Sequence, residues 1–530
     1  MAKLADALAS GASDSNIMEV QVLSTAPFLF SKLIRQLNMR LWRNWQTRYF
    51  EGVVFTRRMG SSPINRTMII IAQTCGSGLL LVYCRYEVWF SMKILRLIAF
   101  TIMASLLFIT PVNASSASKR AELNLVTALI SMASYDDEIN LLTREWLKDM
   151  GWNFQTMSNI NKSADGRFHF VTKELADGDK IYILAFPGTE RAKDIAVDMR
   201  VARVPFLGNS VAEFREAAKE RDKYNHQAPL VHCGFNDYAM TAMFDKKLPD
   251  FGSLTAGEII AQTLKKEPKM HLYLTGHSLG GAAAILTAAR LTDLGVNSAQ
   301  LNVITFGSPA VGNEAFARKY ENKINLQRIT VKKDPVSTVL QSLSGGFVQF
   351  GQKEVWKQYA IDEKIPHEMV IYLDSAIRKF QAEASGTSRL VTGTPVNLAG
   401  GIYLAPINFS LADNIADDKV PMKKMLHDIL TLEYKPLVIE ADDNINSLVK
   451  WQQKAKAAGC KYIVAQDIAG KLIKTKNNDY RMELTENIYD VQGNILNMQV
   501  MSTTTDKSTP LETIAYLHYK GKSNRQNKLK

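Results

Sequence analysis

From residue 122 onward the chain alternates between two hydrophobic periods. Leu123, Val126, Leu129, Ile130 and Met132 follow helical spacing over 122–146, interrupted at Ser134-Tyr135-Asp136-Asp137-Glu138, and a second helix is predicted to end at Gly151. Short apolar runs at 168–173 and 180–185 predict strands, 211–223 a charged helix, and Gly234-Phe235 the start of another. A strand at 272–274 then enters a Gly-rich turn and an Ala-rich helix to about Leu294; a strand at 301–306, a turn at 307–312, a helix to about Tyr320 and a strand at 326–332 follow. Strands alternating with helices predict an α/β fold, a mainly parallel sheet covered by helices on both faces. Functional groups in such sheets collect at the carboxyl ends of the strands.

The pattern changes on either side of this region. Residues 379–430 are Gly- and Thr-rich, with Gly386-Thr387, Gly393-Thr394 and Gly400-Gly401, and read as a linker with a short strand at 402–405 and a charged helix at 422–432. A strand at 435–441, a helix at 444–458 and strands at 461–469, 480–489 and 495–503 predict a small α+β domain over 431–520, with a turn at Gln492-Gly493-Asn494 and a basic, disordered tail at 521–530. Residues 1–91 hold no sustained period and read as a spurious or disordered leader; Met68 to Cys84 is apolar but interrupted by Gln73, Thr74, Gly76, Ser77 and Gly78. From Met92 the order is definite: Lys93 and Arg96, an apolar stretch over 97–112, then Val112-Asn113-Ala114 before a polar run. This predicts a secretory signal peptide at 92–114, cleaved near Ala114, and a mature chain that is secreted or periplasmic.

Composition refines this picture at two points. The net charge of +12 raises a nucleic-acid or membrane-surface reading, but residues 1–91 hold ten Lys/Arg against five Asp/Glu, and Lys93 and Arg96 add two more, so a net charge of only +5 remains beyond Ala114. No nucleic-acid partner is expected. Cys75, Cys84, Cys233 and Cys460 form neither a disulfide framework nor a zinc pattern.

The chemistry is carried by Gly276-His277-Ser278-Leu279-Gly280, between the strand and the Ala-rich helix. A sharp strand-to-helix turn exposes a serine hydroxyl, and the helix N-terminus favours negative charge beside it. Such a hydroxyl needs a base, and the base needs a carboxylate to orient it. After Ser278 the first acid ending a strand is Asp334. Of eight histidines only His367, His427 and His518 follow it. His367, after a proline and at the start of an apolar helix, is preferred over His427, which lies inside the charged helix, and over His518 near the end of the chain. His232 and His277 read as packing and hydrogen-bonding residues.

Six ordered motifs resemble the class 3, fungal-type triacylglycerol lipases of the α/β-hydrolase superfamily: Phe186-Pro187-Gly188-Thr189, Val231-His232-x-Gly234-Phe235, Gly276-His277-Ser278-Leu279-Gly280-Gly281-Ala282, Thr305-Phe306-Gly307-Ser308-Pro309, Asp334-Pro335-Val336 and His367-x-Met369-x-x-Tyr372. The resemblance covers about 122–378, so a catalytic domain is expected over 115–378. It implies that the backbone N–H groups of Thr189 and Leu279 form an oxyanion hole, and that 191–201 corresponds to a lid with Ile195, Ala196, Val197 and Met199 on its apolar face. The family usually carries Arg where Pro187 stands and Trp where Ile195 stands, which leaves open how the loop after Pro187 is tethered. The C-terminal region weakly resembles accessory domains of bacterial envelope lipoproteins. The expectation is a serine hydrolase of lipid carboxylic esters, with Ser278, His367 and Asp334 as triad, no metal or organic cofactor, and a lipid or ester substrate met at a membrane or droplet interface. A phospholipase, a short-chain esterase and a non-catalytic envelope binding protein are the rival readings.

Overall fold

The computed structural model describes residues 71–75, 78–82, 116–136, 138–190, 194, 197–198, 200–220, 225, 227–332, 334–336, 346–359, 367–384, 388–473 and 479–529. The chain divides into two compact units, Asn16–Val112 and the remainder. Within the first, Ile71–Cys75 pairs antiparallel with Gly78–Val82, so the interrupted apolar stretch 68–84 holds a short hairpin where no strand is expected from its pattern. Among the described residues no helix is long and apolar enough to cross a membrane. The expected signal peptide at 92–114 lies outside the described residues.

The second unit opens with helices α1 (Ser116–Ala133) and α2 (Glu138–Asp149). A seven-stranded sheet follows from β1 (Asn153–Ile160), β2 (Asp165–Glu174), β3 (Lys180–Phe186), β4 (Leu272–His277), β5 (Leu301–Phe306), β6 (Asn325–Val331) and β7 (Gln352–Trp356), side by side in that order. Strands β3 to β7 are parallel and β1 and β2 are added antiparallel at one edge. The near-continuous apolar runs of β3, β4 and β5 reflect burial on both faces. On one face Tyr182, Leu184 and Phe186 pack with helix α3 (Cys233–Met243) and the Ala-rich helix α4 (Leu279–Asp293). On the other, Ile183, Ala185, Ile304 and Phe306 pack with α1 and helix α5 (Met369–Glu383). Each fully buried Leu or Ile contributes roughly 2 kcal/mol. Ala282, Ala283 and Ala284 are fully buried, and larger side chains there would push the helix off the sheet. Cys233 and Cys460 are buried thiols that form no disulfide.

The region past Arg378 differs from its expected outline. In place of a linker, 379–430 supplies β8 (Val396–Leu404), β9 (Asn408–Leu411) and most of helix α6 (Lys419–Glu433). Gly400 and Gly401, read as loop residues, have φ of 106° and 65° and lie where the β8 register shifts, so they mark a bulge inside a strand. With β10 (Tyr434–Ile439), β11 (Tyr462–Leu472), β12 (Tyr480–Asp490) and β13 (Ile495–Thr504) they form a six-stranded sheet, ordered β10-β8-β11-β12-β13 with β9 also on β11. Helix α7 (Leu448–Ala457) packs against β8 and β11.

The expected disordered tail is a second correction. Helix α8 runs Pro510–Lys528 through it, opened by a capping box between Thr509 and Glu512. It stays folded because Arg525, fully buried, donates to Glu486 Oε1 and Oε2 at 3.0 and 2.9 Å and to Glu433 Oε2 at 3.0 Å.

The two sheets are not packed independently. The apolar cluster of α1 and α5 continues through Ile415, Met422, Met425, Leu426, Ile468, Tyr480, Leu511 and Ile514. Two buried charges staple the connecting chain: Glu122 accepts from the Leu390 and Val391 N–H groups at 2.5 and 3.1 Å. Lys173 Nζ donates to the Met150, Leu390 and Thr392 carbonyls at 2.6, 2.9 and 2.8 Å.

Candidate active site

Ser278 caps helix α4 with φ 55° and ψ −123°, a conformation costly for a residue with a Cβ. The register explains how the turn is held: Gly276 lies opposite Phe186 on one side and Thr305 on the other, and the Ser278 N–H donates to the Phe306 carbonyl at 3.0 Å. A Cβ on Gly276 would strike the Gly280 backbone, and one on Gly280 the Phe186 carbonyl. Helix and strand approach closely enough to project the serine only because both positions are glycine.

Parallel pairing brings the chain just beyond β3, β4 and β6 to one end of the sheet, and with it Thr189, Ser278 and Asp334. His367 reaches the same end from the junction before α5. Its Nε2 is 2.8 Å from Ser278 Oγ, and its Nδ1 is 3.1 Å from both carboxylate oxygens of Asp334. Nδ1 facing a carboxylate carries the ring proton, which leaves Nε2 to accept from the serine hydroxyl. His427 lies on α6, where Lys423 and Asp443 act on it, and His518 is held against Arg525 at 2.8 Å.

Asp334 is fully buried, which on its own would raise its carboxyl. The His367 contact outweighs this, helped by the Tyr372 hydroxyl at 2.5 Å and the Val336 N–H at 2.8 Å, and the carboxyl falls below its ordinary value. It is therefore ionised at neutral pH, the state required beside an imidazolium.

His277, adjacent to the serine, has a structural task of its own. Burial first, then the neighbouring His367, pushes its pKa down to about 3, so it is neutral. Nε2 lies 2.7 Å from the His367 carbonyl, which only accepts, so this nitrogen carries the proton and Nδ1 accepts from the Tyr135 hydroxyl at 2.5 Å. The chain Tyr135, His277, His367 carbonyl fixes the backbone that carries the His367 ring. His232 is also neutral, pushed down to about 4 by burial, and its Nδ1 caps α3 by accepting from the Phe235 N–H at 3.2 Å.

Thr189 follows β3 and donates its hydroxyl to Asp198 Oδ2 at 2.7 Å; burial pushes the Asp198 carboxyl up to about 6. Leu279, the first residue of α4, has an N–H with no acceptor inside its own helix. The loop after Pro187 is tethered by Arg167 of β2, which donates to Glu190 at 2.9 Å and Asp136 at 3.0 Å and reaches Asp194 at 3.4 Å. Sequence reasoning left out Arg167, Tyr135 and Tyr372's hydrogen bond, because their partners are far away along the chain. Most of the expected lid, 191–193, 195–196 and 199, lies outside the described residues; within that stretch Val197 and Asp194 are buried.

A cavity of about 410 Å³ opens beside the His367 ring. Met132, Tyr135, Asn140 and Thr189 line it, as do Met369 and Val370 at the start of α5, and Asp506 and Lys507 from beyond β13 complete its wall.

Residues 183–343 match the family described as Lipase (class 3). Secreted mono- and diacylglycerol lipase 2 of Gibberella zeae is 27% identical over 219 residues, covering 39% of this chain and 50% of that protein. Phospholipase A1-II 3 of Oryza sativa subsp. japonica is 27% identical over 212 residues, covering 37% of this chain and 45% of that protein. The chain thus spans half or less of the length of these curated relatives. A solved structure of the Rhizomucor miehei triacylglyceride lipase aligns at 21% identity and a TM-score of 0.33, covering 46% of this chain and 81% of that one. The stretch that matches the class 3 lipase family, residues 183–343, is the one that holds Thr189, Ser278 and Asp334.

Proposed function

We propose that the chain is a carboxylic ester hydrolase acting on lipids through an acyl-enzyme. Ser278 Oγ attacks the ester carbonyl while His367 Nε2 takes its proton and passes it to the departing alkoxide. Asp334 orients His367 and stabilises its imidazolium form, and the Thr189 and Leu279 N–H groups receive the oxyanion, each donor worth roughly 3 kcal/mol. Water then attacks the acyl-serine by the same route in reverse and releases the acid. The observation that carries this reading is the continuous contact Ser278 Oγ, His367 Nε2, His367 Nδ1, Asp334. The apolar part of the cavity, Met132, Met369 and Val370, suits an acyl chain. Secretion is proposed on the signal-like stretch 92–114 and on the name of the Gibberella zeae relative, and 191–201 is proposed as a lid.

Labelling with a fluorophosphonate, then mass mapping and a series of p-nitrophenyl esters of rising chain length, tests the reading. The label is expected on Ser278, with rates rising toward long chains. Activity confined to short soluble esters would mean an esterase, and absence of label would remove the catalytic reading altogether.

The tie from Thr189 to Asp198 gives a second test. Asp198→Ala frees the Thr189 side chain, so kcat is expected to fall roughly tenfold with KM little changed, because the misplaced donor matters most in the transition state. An unchanged kcat in steady-state kinetics would sink the role assigned to Thr189.

A further inference from the structure

A second cavity, of about 360 Å³, opens at the end of the main sheet opposite Ser278. Its size is within the range of small-molecule sites. Tyr273 lies at the start of β4 and the serine just past its end, so roughly 15 Å of strand separates the two. On the face of the sheet that α1 and α5 cover, Ile304, Phe306 and Ile329 are apolar, as burial requires. At the strand bases on that face the pattern breaks. Tyr273, Asn302 and Asn325 stand side by side in one register row across β4, β5 and β6, and Gln327 and Gln352 share the next row across β6 and β7. All five line the cavity.

A carboxamide offers donors and an acceptor together, which suits hydroxyl groups. Asn325 Nδ2 donates to Asn302 Oδ1 at 2.8 Å and Gln327 Nε2 to Glu354 Oε2 at 2.7 Å, so these amides are held in place with bonding capacity to spare. The wall beside them is cationic. Lys119 and Arg120, from the first turns of α1, line it exposed, and neither side chain has an ion pair among the described residues. Arg389 lines it too, but is matched by Asp177 and by Asp179 at 3.3 Å. The one carboxylate among the described lining residues, Glu122, is buried and already accepts from the Leu390 and Val391 N–H groups. A neutral sugar would leave two cations unmatched, and inorganic phosphate would leave the amide rows without hydroxyl partners. A sugar ring that carries a carboxylate or a phosphate meets both needs.

From this placement we infer that the chain holds, at the end of the sheet opposite its serine, a binding site for an anionic sugar, Lys119 and Arg120 receiving the carboxylate or phosphate and the Asn302, Asn325, Gln327 and Gln352 amides its hydroxyl groups. The sugar is not the substrate of the serine. The length of β4 between the two sites lets both be filled at once, and the second site ties the enzyme to its surroundings whether or not the hydrolase reading above holds. Two sources share this chemistry, a free sugar phosphate and an acidic polysaccharide.

Isothermal titration calorimetry on the full chain tests this with glucose 6-phosphate, glucuronate, a glucuronate-containing hexasaccharide, glucose and inorganic phosphate. A sugar anion is expected to bind about tenfold more tightly than either glucose or phosphate. The hexasaccharide as tightest ligand supports the polysaccharide as source, and glucose 6-phosphate as tightest supports the free sugar phosphate. Lys119→Ala/Arg120→Ala should weaken the binding about tenfold, while Lys119→Arg/Arg120→Lys, which keeps both charges, should retain it. Gln352→Ala should weaken binding of the sugar anion and leave that of phosphate unmoved. No binding of any sugar anion, phosphate bound as tightly as the best of them, or full affinity in Lys119→Ala/Arg120→Ala would overturn the inference. Competitive inhibition of p-nitrophenyl butyrate hydrolysis by the bound sugar would place it at Ser278 instead and overturn it as well.

Discussion

Replacing Ser278 by alanine is expected to lower kcat on a soluble p-nitrophenyl ester by roughly 10⁴- to 10⁶-fold, and replacing His367 by alanine should cost about as much. The reason is geometric. Ser278 Oγ has one base at hydrogen-bond distance, and that base has one carboxylate behind it, so removing either member stops the same proton transfer. The double variant Ser278→Ala/His367→Ala should be no slower than either single one, the residual rate coming from substrate binding and the two N–H donors. Steady-state rates of the three variants decide this. A double variant slower by the product of the single losses would mean that the residues act separately, and the triad assignment would fail.

The second large effect concerns stability. Arg525→Ala is expected to destabilise the C-terminal sheet by about 3–5 kcal/mol in urea unfolding, because it leaves Glu486 buried without its cation and Glu433 with only the more distant Lys522. Burial would raise the Glu433 carboxyl, but Arg525 and then His518 outweigh it and hold it at about 2; Glu486 is lowered for the same reasons. A carboxyl lowered by folding stabilises at pH values above its unfolded pKa, about 4.3, and loses that stabilisation as pH falls toward the folded value. Wild-type stability should therefore fall between about pH 4.5 and 2, and the Arg525→Ala variant should show a weaker fall from these two groups. Equal stability of variant and wild type at pH 7 would show that the buried cluster is not what holds α8.

These two results differ in how far the sequence foretells them. The turn at Ser278 is local: strand, two glycines and helix lie within a few residues, so the pattern alone marks it. Asp334 follows because it ends a parallel strand, Thr189 is marked out only by the family resemblance, and His367 stands out from His427 by its place at a loop-to-helix junction. What remained hidden depends on contacts between distant residues. Tyr135 lies in what reads as a break between helices, yet its hydroxyl meets His277 142 residues away. Gly400-Gly401 has the composition of a loop and the geometry of a bulge, since the strand around it is revealed by its pairing with β10 and β11. The last residues carry a basic excess that reads as solvated tail, and their carboxylate partners lie 39 and 92 positions earlier.

That last spacing has a consequence for the order of events during synthesis. Glu433 leaves the ribosome 92 residues before the guanidinium that neutralises it. At about 5–20 residues per second, this is a wait of roughly 5–20 seconds. Until Arg525 emerges, Glu433 and Glu486 have to remain hydrated, so the layer formed by α6, β12 and α8 cannot close before then. The nucleophile turn and its parallel strands lie entirely upstream and need nothing from that layer to pair. The chain therefore passes through a stage in which its serine is already displayed while the wall bearing Asp506 and Lys507 is still unbuilt, and docking of α8 is the step that completes the cavity wall.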